Sequence, residues 1–175
     1  DSRSTVMTIL CATDFSPSAK QAANVAAGLA AKLGEPLHLV HSIDAQATEK
    51  VLESGAGEVH AGLTAWLEEE AVRLSARGAT VTAEMLAGIP DEQIAQNART
   101  VHASLIVVGD VGRRAASEIL LGSVAERLCQ IASQPVFVVR TQAGMQSWLK
   151  GLRPLRVLVA ADLEATGAAA IACLL

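Results

Sequence analysis

Five short aliphatic runs, at residues 6–12, 36–41, 79–86, 105–108 and 136–139, alternate with longer stretches that repeat apolar residues every three or four positions. The runs are apolar almost throughout, so they read as strands buried on both faces, the mark of a parallel sheet. Between them, residues 18–33 put Ala22, Ala26, Leu29 and Leu33 on one helical face. Leu52, Ala56, Val59, Leu63, Leu67 and Leu74 carry the same spacing through a longer second helix. Gly55, Gly57 and Gly62 each weaken a helix interior by about 1 kcal/mol relative to Ala, so an interruption is expected in that helix. Residues 91–102 and 124–133 supply a third and a fourth helix. Strands and helices alternating in this way require right-handed crossovers and helices on both faces of one sheet, which is a doubly wound α/β fold. Ligands of such sheets bind beyond the carboxyl ends of the strands, where the winding reverses, so chemistry is sought just after each strand.

With 175 residues, 51% of them hydrophobic and 18% charged, the chain has ample apolar surface for one folded domain. Fourteen Lys plus Arg against 18 Asp plus Glu leave a net charge of −4, and the only close basic pair is Arg113 and Arg114. No cluster of cations is present that could neutralise a nucleic acid backbone, so no nucleic acid partner is expected. No apolar run reaches the roughly 18 residues that span a bilayer, and residues 1–5 lack the apolar stretch of a secretory signal. A soluble, cytoplasmic protein without a membrane partner is expected. Cys11, Cys129 and Cys173 are widely spread and odd in number, which fits reduced thiols rather than a disulfide framework.

The last stretch repeats the first. Residues 156–170 align with residues 8–22 at an offset of 148, and Leu10/Leu158, Ala12/Ala160, Asp14/Asp162 and Ala22/Ala170 coincide. The expected organisation is a complete domain over 1–143, a linker over 144–153, and over 154–175 the first strand and helix of a truncated second copy.

The strongest chemical signal follows the fourth strand. Gly109-Asp110-Val111-Gly112 is followed after nine residues by Gly122-Ser123, which opens the fourth helix. Two glycines three apart allow a tight turn whose amides approach an anion, and a helix N-terminus opposite them offers further free N–H groups. A polyphosphate can lie between the two glycine clusters, with the Ser123 hydroxyl donating to it and Arg113 supplying charge. A glycine turn or an ordinary helix cap explains either half alone, but not both at this spacing. A second signal follows the first strand, where Ser16 and Pro17 open the first helix as cap and first helical residue. That leaves Asp14, at the strand's carboxyl end, available to ribose hydroxyls. His38 and His41 near Cys11 lack a closely spaced third ligand and read as core and strand-end histidines. Trp66 and Trp148 read as packing residues, and Glu68-Glu69-Glu70 as a solvated helix face.

Taken together these residues resemble the universal stress protein family. Its nucleotide-binding members carry Gly-x2-Gly-x9-Gly-[Ser/Thr] after the fourth strand, matched here by Gly109, Gly112, Gly122 and Ser123. The resemblance extends over residues 6–140 and includes the Asp14-Phe15-Ser16-Pro17 entry, the Leu39-Val40-His41 strand end and the Pro135–Val139 segment. It implies a Rossmann-like, five-stranded parallel sheet of order 3-2-1-4-5 and an ATP site, with Mg2+ or Mn2+ on the phosphates. In that site Ala12, Thr13 and Asp14 would line the adenosine and Val40 would hold the adenine edge through its backbone. Gly109, Gly112, Arg113, Gly122, Ser123 and Val124 would surround the phosphates. It also implies a homodimer formed through the strand at Val136–Val139 and a regulatory role in the stress response. In one respect the chain departs from the family. Asp110 and Val111 stand where members have Ser or Thr followed by a basic residue or His, and a carboxylate facing the phosphates would repel them.

Three functions follow. The first is a dimeric ATP-binding regulatory module with little or no hydrolysis, since no Gly-x4-Gly-Lys-[Ser/Thr] loop and no base for water are present. The second is a scaffold whose nucleotide site Asp110 has impaired, acting through dimerisation or another ligand. The third is an enzyme of this fold, an ATPase or nucleotidyl transferase, ranked last because a fold supplies no chemistry by itself.

Overall fold

The structure is a computed structural model that describes residues 7–43, 57–112 and 121–158. In chain order its elements are β1 (Thr8–Ala12), α1 (Pro17–Leu33), β2 (Leu37–Ile43), α2 (Gly57–Ser75), β3 (Val81–Ala87), α3 (Pro90–Thr100), β4 (Ala103–Gly109), α4 (Ser123–Ile131), β5 (Val136–Val139) and α5 (Ala143–Leu149). The strands form one parallel sheet in the order β3-β2-β1-β4-β5. The chain runs outward from β1 through β2 to β3, and then restarts beside β1 with β4. The doubly wound fold expected from the alternation is the one observed, and β1 and β4 lie side by side where the winding reverses.

Alternation along each strand divides the core into two layers. Ile9, Cys11, Leu37, Leu39 and Val107 face α1 and α2, whereas Leu10, Val40, Ile106 and Val108 face α3 and α4. The sheet-facing side of α1 is nearly all alanine: Ala19, Ala22, Ala23, Ala26, Ala27 and Ala30 are buried there beside Val25 and Leu29. Small side chains let a helix lie close to the sheet, and this closeness shapes the site described below. Ser16 caps α1 by accepting the Ala19 N–H at 3.2 Å, Pro17 occupies the first turn, and Gly34 ends the helix in the left-handed region at φ +71°.

Three expectations need correction. β3 is not buried on both faces: Thr82, Ala83 and Glu84 are exposed because β3 is an edge strand, covered less completely than the centre. The segment 144–153, expected as a linker, carries α5. Met145, Trp148 and Leu149, spaced three and four apart, pack against the α1 layer, and Lys32 lies over the Trp148 ring at 4.9 Å. Gly28 makes room for this helix, since a Cβ there would stand 2.5 Å from Leu149 Cδ1. Residues 154–158 are exposed and outside the sheet, and the rest of the expected second copy lies outside the described residues. The interruption expected near Gly55 falls there too, while Gly57 and Gly62 lie within α2.

Glu70 is also not part of a solvated face. It is buried, and Arg73, one turn on, forks onto its carboxylate at 2.6 and 2.7 Å while reaching Asn24 Oδ1 at 2.8 Å. The Glu70 hydrogen bond pushes the Arg73 pKa up, against the opposing pull of burial. Burial, and secondarily the Glu70 charge, push the Cys11 thiol up to about 12. Cys11 is therefore an unreactive core thiol.

Candidate functional site

β1 and β4 end next to each other, and the chain leaves both through tight turns. After β1, Asp14 Oδ1 accepts the Ser16 N–H at 3.0 Å and Thr13 Oγ1 accepts the Phe15 N–H at 3.0 Å. These two side-chain-to-backbone bonds hold Phe15 at φ +62°, a conformation uncommon for a residue with a Cβ. Asp14 is thus engaged in the turn it was expected to leave, because a carboxylate two residues before a free N–H closes an Asx turn. Thr13 is engaged as well: its N–H donates to Val40 O at 2.9 Å, and its carbonyl accepts from His41 Nδ1 at 2.6 Å. Since a carbonyl only accepts, Nδ1 carries a proton. The His41 ring packs 4.8 Å from Phe15, and Trp66 lies 6.1 Å from the same ring.

After β4, the glycine turn is stitched to the start of α4 by the Gly122 N–H, which donates to Asp110 O at 2.6 Å. Each glycine permits one close approach. A Cβ on Gly109 would lie 2.6 Å from Ser18 Oγ, one on Gly112 would lie 2.9 Å from Asp14 Oδ2, and one on Gly122 would lie 3.3 Å from Asp110 O and Gly112 N. Hence Gly112 sets the β4 turn against the Asp14 carboxylate, and Gly122 sets α4 against the same turn. No side chain caps α4 among the described residues. Its first intrahelical bond from beyond the cap is Glu126 N–H to Gly122 O, so the N–H groups of Ser123, Val124 and Ala125 have no partner within the helix.

A cavity of about 170 Å³ opens between the two turns. Ala12, Thr13, Asp14, Gly109, Gly112, Gly122, Ser123 and Val124, eight of the residues singled out in the sequence, line it together. Val40 does not. Its side chain is buried in the α3–α4 layer and its carbonyl accepts from Thr13, while the next two residues, His41 and Ser42, line the cavity. Arg113 lies outside the described residues. Pro90, Ile94 and Val108 form an apolar side of the cavity that the motif reading missed. Pro90 and Ile94 come from the start of α3, and an apolar helix face gives no sign in sequence of which end meets a ligand.

Asp110 does not face the space between the turns. Asp110 is only 7% exposed and does not line the cavity: Oδ1 accepts from Ser18 Oγ at 2.7 Å, and Oδ2 from Arg140 Nε at 3.2 Å. Its carboxylate points toward α1 and the end of β5, so it does not oppose an anion between the turns. Cationic and hydroxyl partners 30 and 92 residues away turn it outward. No group of three His, Cys, Asp or Glu is placed to hold a metal among the described residues. No described helix is long and apolar enough to cross a membrane.

Comparison with known proteins agrees with this architecture. The family model described as the universal stress protein family matches residues 5–140. Universal stress protein MJ0531 of Methanocaldococcus jannaschii is 31% identical over 137 residues, covering 75% of this chain and 81% of that protein. The solved structure of MJ0577, from the same organism, superposes with a TM-score of 0.65 at 31% identity, covering 77% of this chain and 96% of the other. A universal stress protein solved in complex with cAMP gives 0.61 at 28% identity, over 78% and 98% of the two chains. One from Archaeoglobus fulgidus, solved in complex with dAMP, gives 0.58 at 26% identity, over 77% and 98%.

Proposed function

We propose, because this chain belongs to the universal stress protein family and its two post-strand turns converge on one cavity, that the cavity binds an adenine nucleotide, ATP in particular. The observation that carries the reading is the opening of α4 toward the cavity with three N–H groups lacking helical partners, beside a turn from which the one carboxylate, Asp110, is turned away. Such a helix start favours phosphate through both its free donors and its dipole. The ligands of two solved relatives, cAMP and dAMP, share an adenine, a sugar and a phosphate, and this supports the same class here.

In this reading the phosphates lie at Gly112, Ser123, Val124 and Ala125, with the Ser123 hydroxyl as a further donor. Asp14 lies on the sugar side, and Ser42, Pro90, Ile94 and Val108 flank the base. Magnesium or manganese would enter on the phosphates of ATP, with Asp14 the one carboxylate lining the cavity among the described residues. In this reading the module holds nucleotide and hydrolyses it slowly at most, in keeping with a sequence that has no Gly-x4-Gly-Lys-[Ser/Thr] loop. We place the protein in the cytoplasm and assign dimerisation to β5, an edge strand whose Val136, Phe137 and Val138 are only half-buried. The likeness of residues 156–170 to 8–22 supports a second copy of the domain after this one. Calorimetric titration with MgATP tests the central reading. Saturable binding that Gly122→Val abolishes is the expected result, and a chain that takes up no adenine nucleotide refutes it.

A further inference from the structure

Asp110 occupies a place where four elements meet. Its N–H donates to Val139 O at 3.2 Å and its carbonyl accepts the Gly122 N–H at 2.6 Å. Its carboxylate takes the Ser18 hydroxyl of α1 and the Arg140 guanidinium at the end of β5. One residue therefore fixes the distance between α1, β5 and the cap residue of α4. The Ser18 contact is possible because Gly109 lets the backbone of α1 come close to the end of β4.

We propose that Asp110 is the positioning residue of the phosphate end of the cavity. Held from the α1 side by Ser18, its carbonyl anchors Gly122 and thereby aims the N–H groups of Ser123, Val124 and Ala125 into the cavity. The residue that would repel phosphates if it faced them instead braces the site. The two side-chain contacts differ in weight: Ser18 is half-buried and bonds at 2.7 Å, whereas the Arg140 side chain is 61% exposed, where an ion pair is screened by water. Positioning acts through the donors and not on the base, so its loss is felt by phosphate-bearing ligands alone.

The inference rests on the nucleotide reading, and one experiment separates the two. The 175-residue chain and its Asp110→Ala, Ser18→Ala and Arg140→Met variants are titrated with ATP and with adenosine, by NMR so that weak binding is still read. Asp110→Ala and Ser18→Ala each weaken ATP binding about tenfold and leave adenosine within about twofold. Arg140→Met changes ATP affinity by less than about threefold. Unchanged ATP affinity in Asp110→Ala, or equal loss for ATP and adenosine, overturns the positioning role. Failure of the unmodified chain to bind ATP overturns the nucleotide reading and the positioning role with it. Should Asp110→Ala not fold, Ser18→Ala decides by the same two comparisons.

Discussion

Replacing Gly109 by Ala tests the close approach of α1 to the β4 turn. The added methyl would stand 2.6 Å from Ser18 Oγ, 2.9 Å from the Ser18 carbonyl carbon and 3.0 Å from the Ala19 nitrogen. Optimal contacts for carbon lie near ~3.5–4.0 Å, so the first turn of α1 must retreat by up to about 1 Å. Two of the three contacts are backbone atoms, which cannot rotate away, and overpacking of this kind costs about 1–3 kcal/mol. Retreat also draws the Ser18 hydroxyl off the buried Asp110 carboxylate, a charged hydrogen bond worth about 1.5–3 kcal/mol. Because one movement produces both losses they overlap, and we take about 3 kcal/mol as the total. For a chain of this size that lowers the melting temperature by about 6–12 °C. At a urea slope near ~2 kcal/mol/M it shifts the midpoint by about 1.5 M. Gly62→Ala is the matched control: nothing lies within 4 Å of its Cβ position inside α2, so it stabilises by about 0.5–1 kcal/mol. Urea unfolding followed by circular dichroism reads both. A Gly109→Ala midpoint within about 0.3 M of the unmodified protein refutes the argument that glycine is needed there for packing.

Further predictions concern the core and α5. The Cys11 thiol has a folded pKa of about 12 against an ordinary 9.0, so the folded chain holds a proton that the unfolded chain releases. Stability is full below pH 9 and falls as pH rises toward 12, by up to about 1.4 kcal/mol per pH unit; Cys11→Ala should flatten the fall in urea midpoint between pH 8 and pH 10, and an identical fall in both proteins contradicts the assignment. Gly28→Leu should displace α5 from α1, read in a Trp66→Phe background as a red shift of Trp148 emission; unchanged emission contradicts the docking of that helix.

The fold was legible because its strands are apolar runs of sheet length separated by helical periodicity, a signal carried by residues next to one another. Both glycine clusters and Asp14 were legible for a similar reason, each being a local turn at a strand's end. Three features were not. β3 reads like a buried strand, yet its exposure depends on its place at the sheet edge, which no local pattern records. Glu70 stands in a run of three glutamates and is distinguished by its burial and by Arg73, which forks onto it while reaching Asn24. Asp110 is the sharpest case. Its direction is decided by Ser18 and Arg140, remote in sequence, and an acidic residue between two phosphate-site glycines gives no sign of which way it turns. Val40 shows a smaller version: the resemblance gives its backbone to the adenine edge, and the parallel register of β1 and β2 also brings Thr13 beside it, whose N–H donates to the Val40 carbonyl.

The claim that a nucleotide's phosphates rest on the start of α4 is tested most directly by the amide proton–nitrogen spectrum of the labelled chain during titration with MgATP. The account predicts saturable shifts largest at Gly112, Ser123, Val124 and Ala125, with Asp14 following and β3 unmoved. Shifts confined to other surfaces, or a spectrum that ATP leaves unchanged, would contradict it.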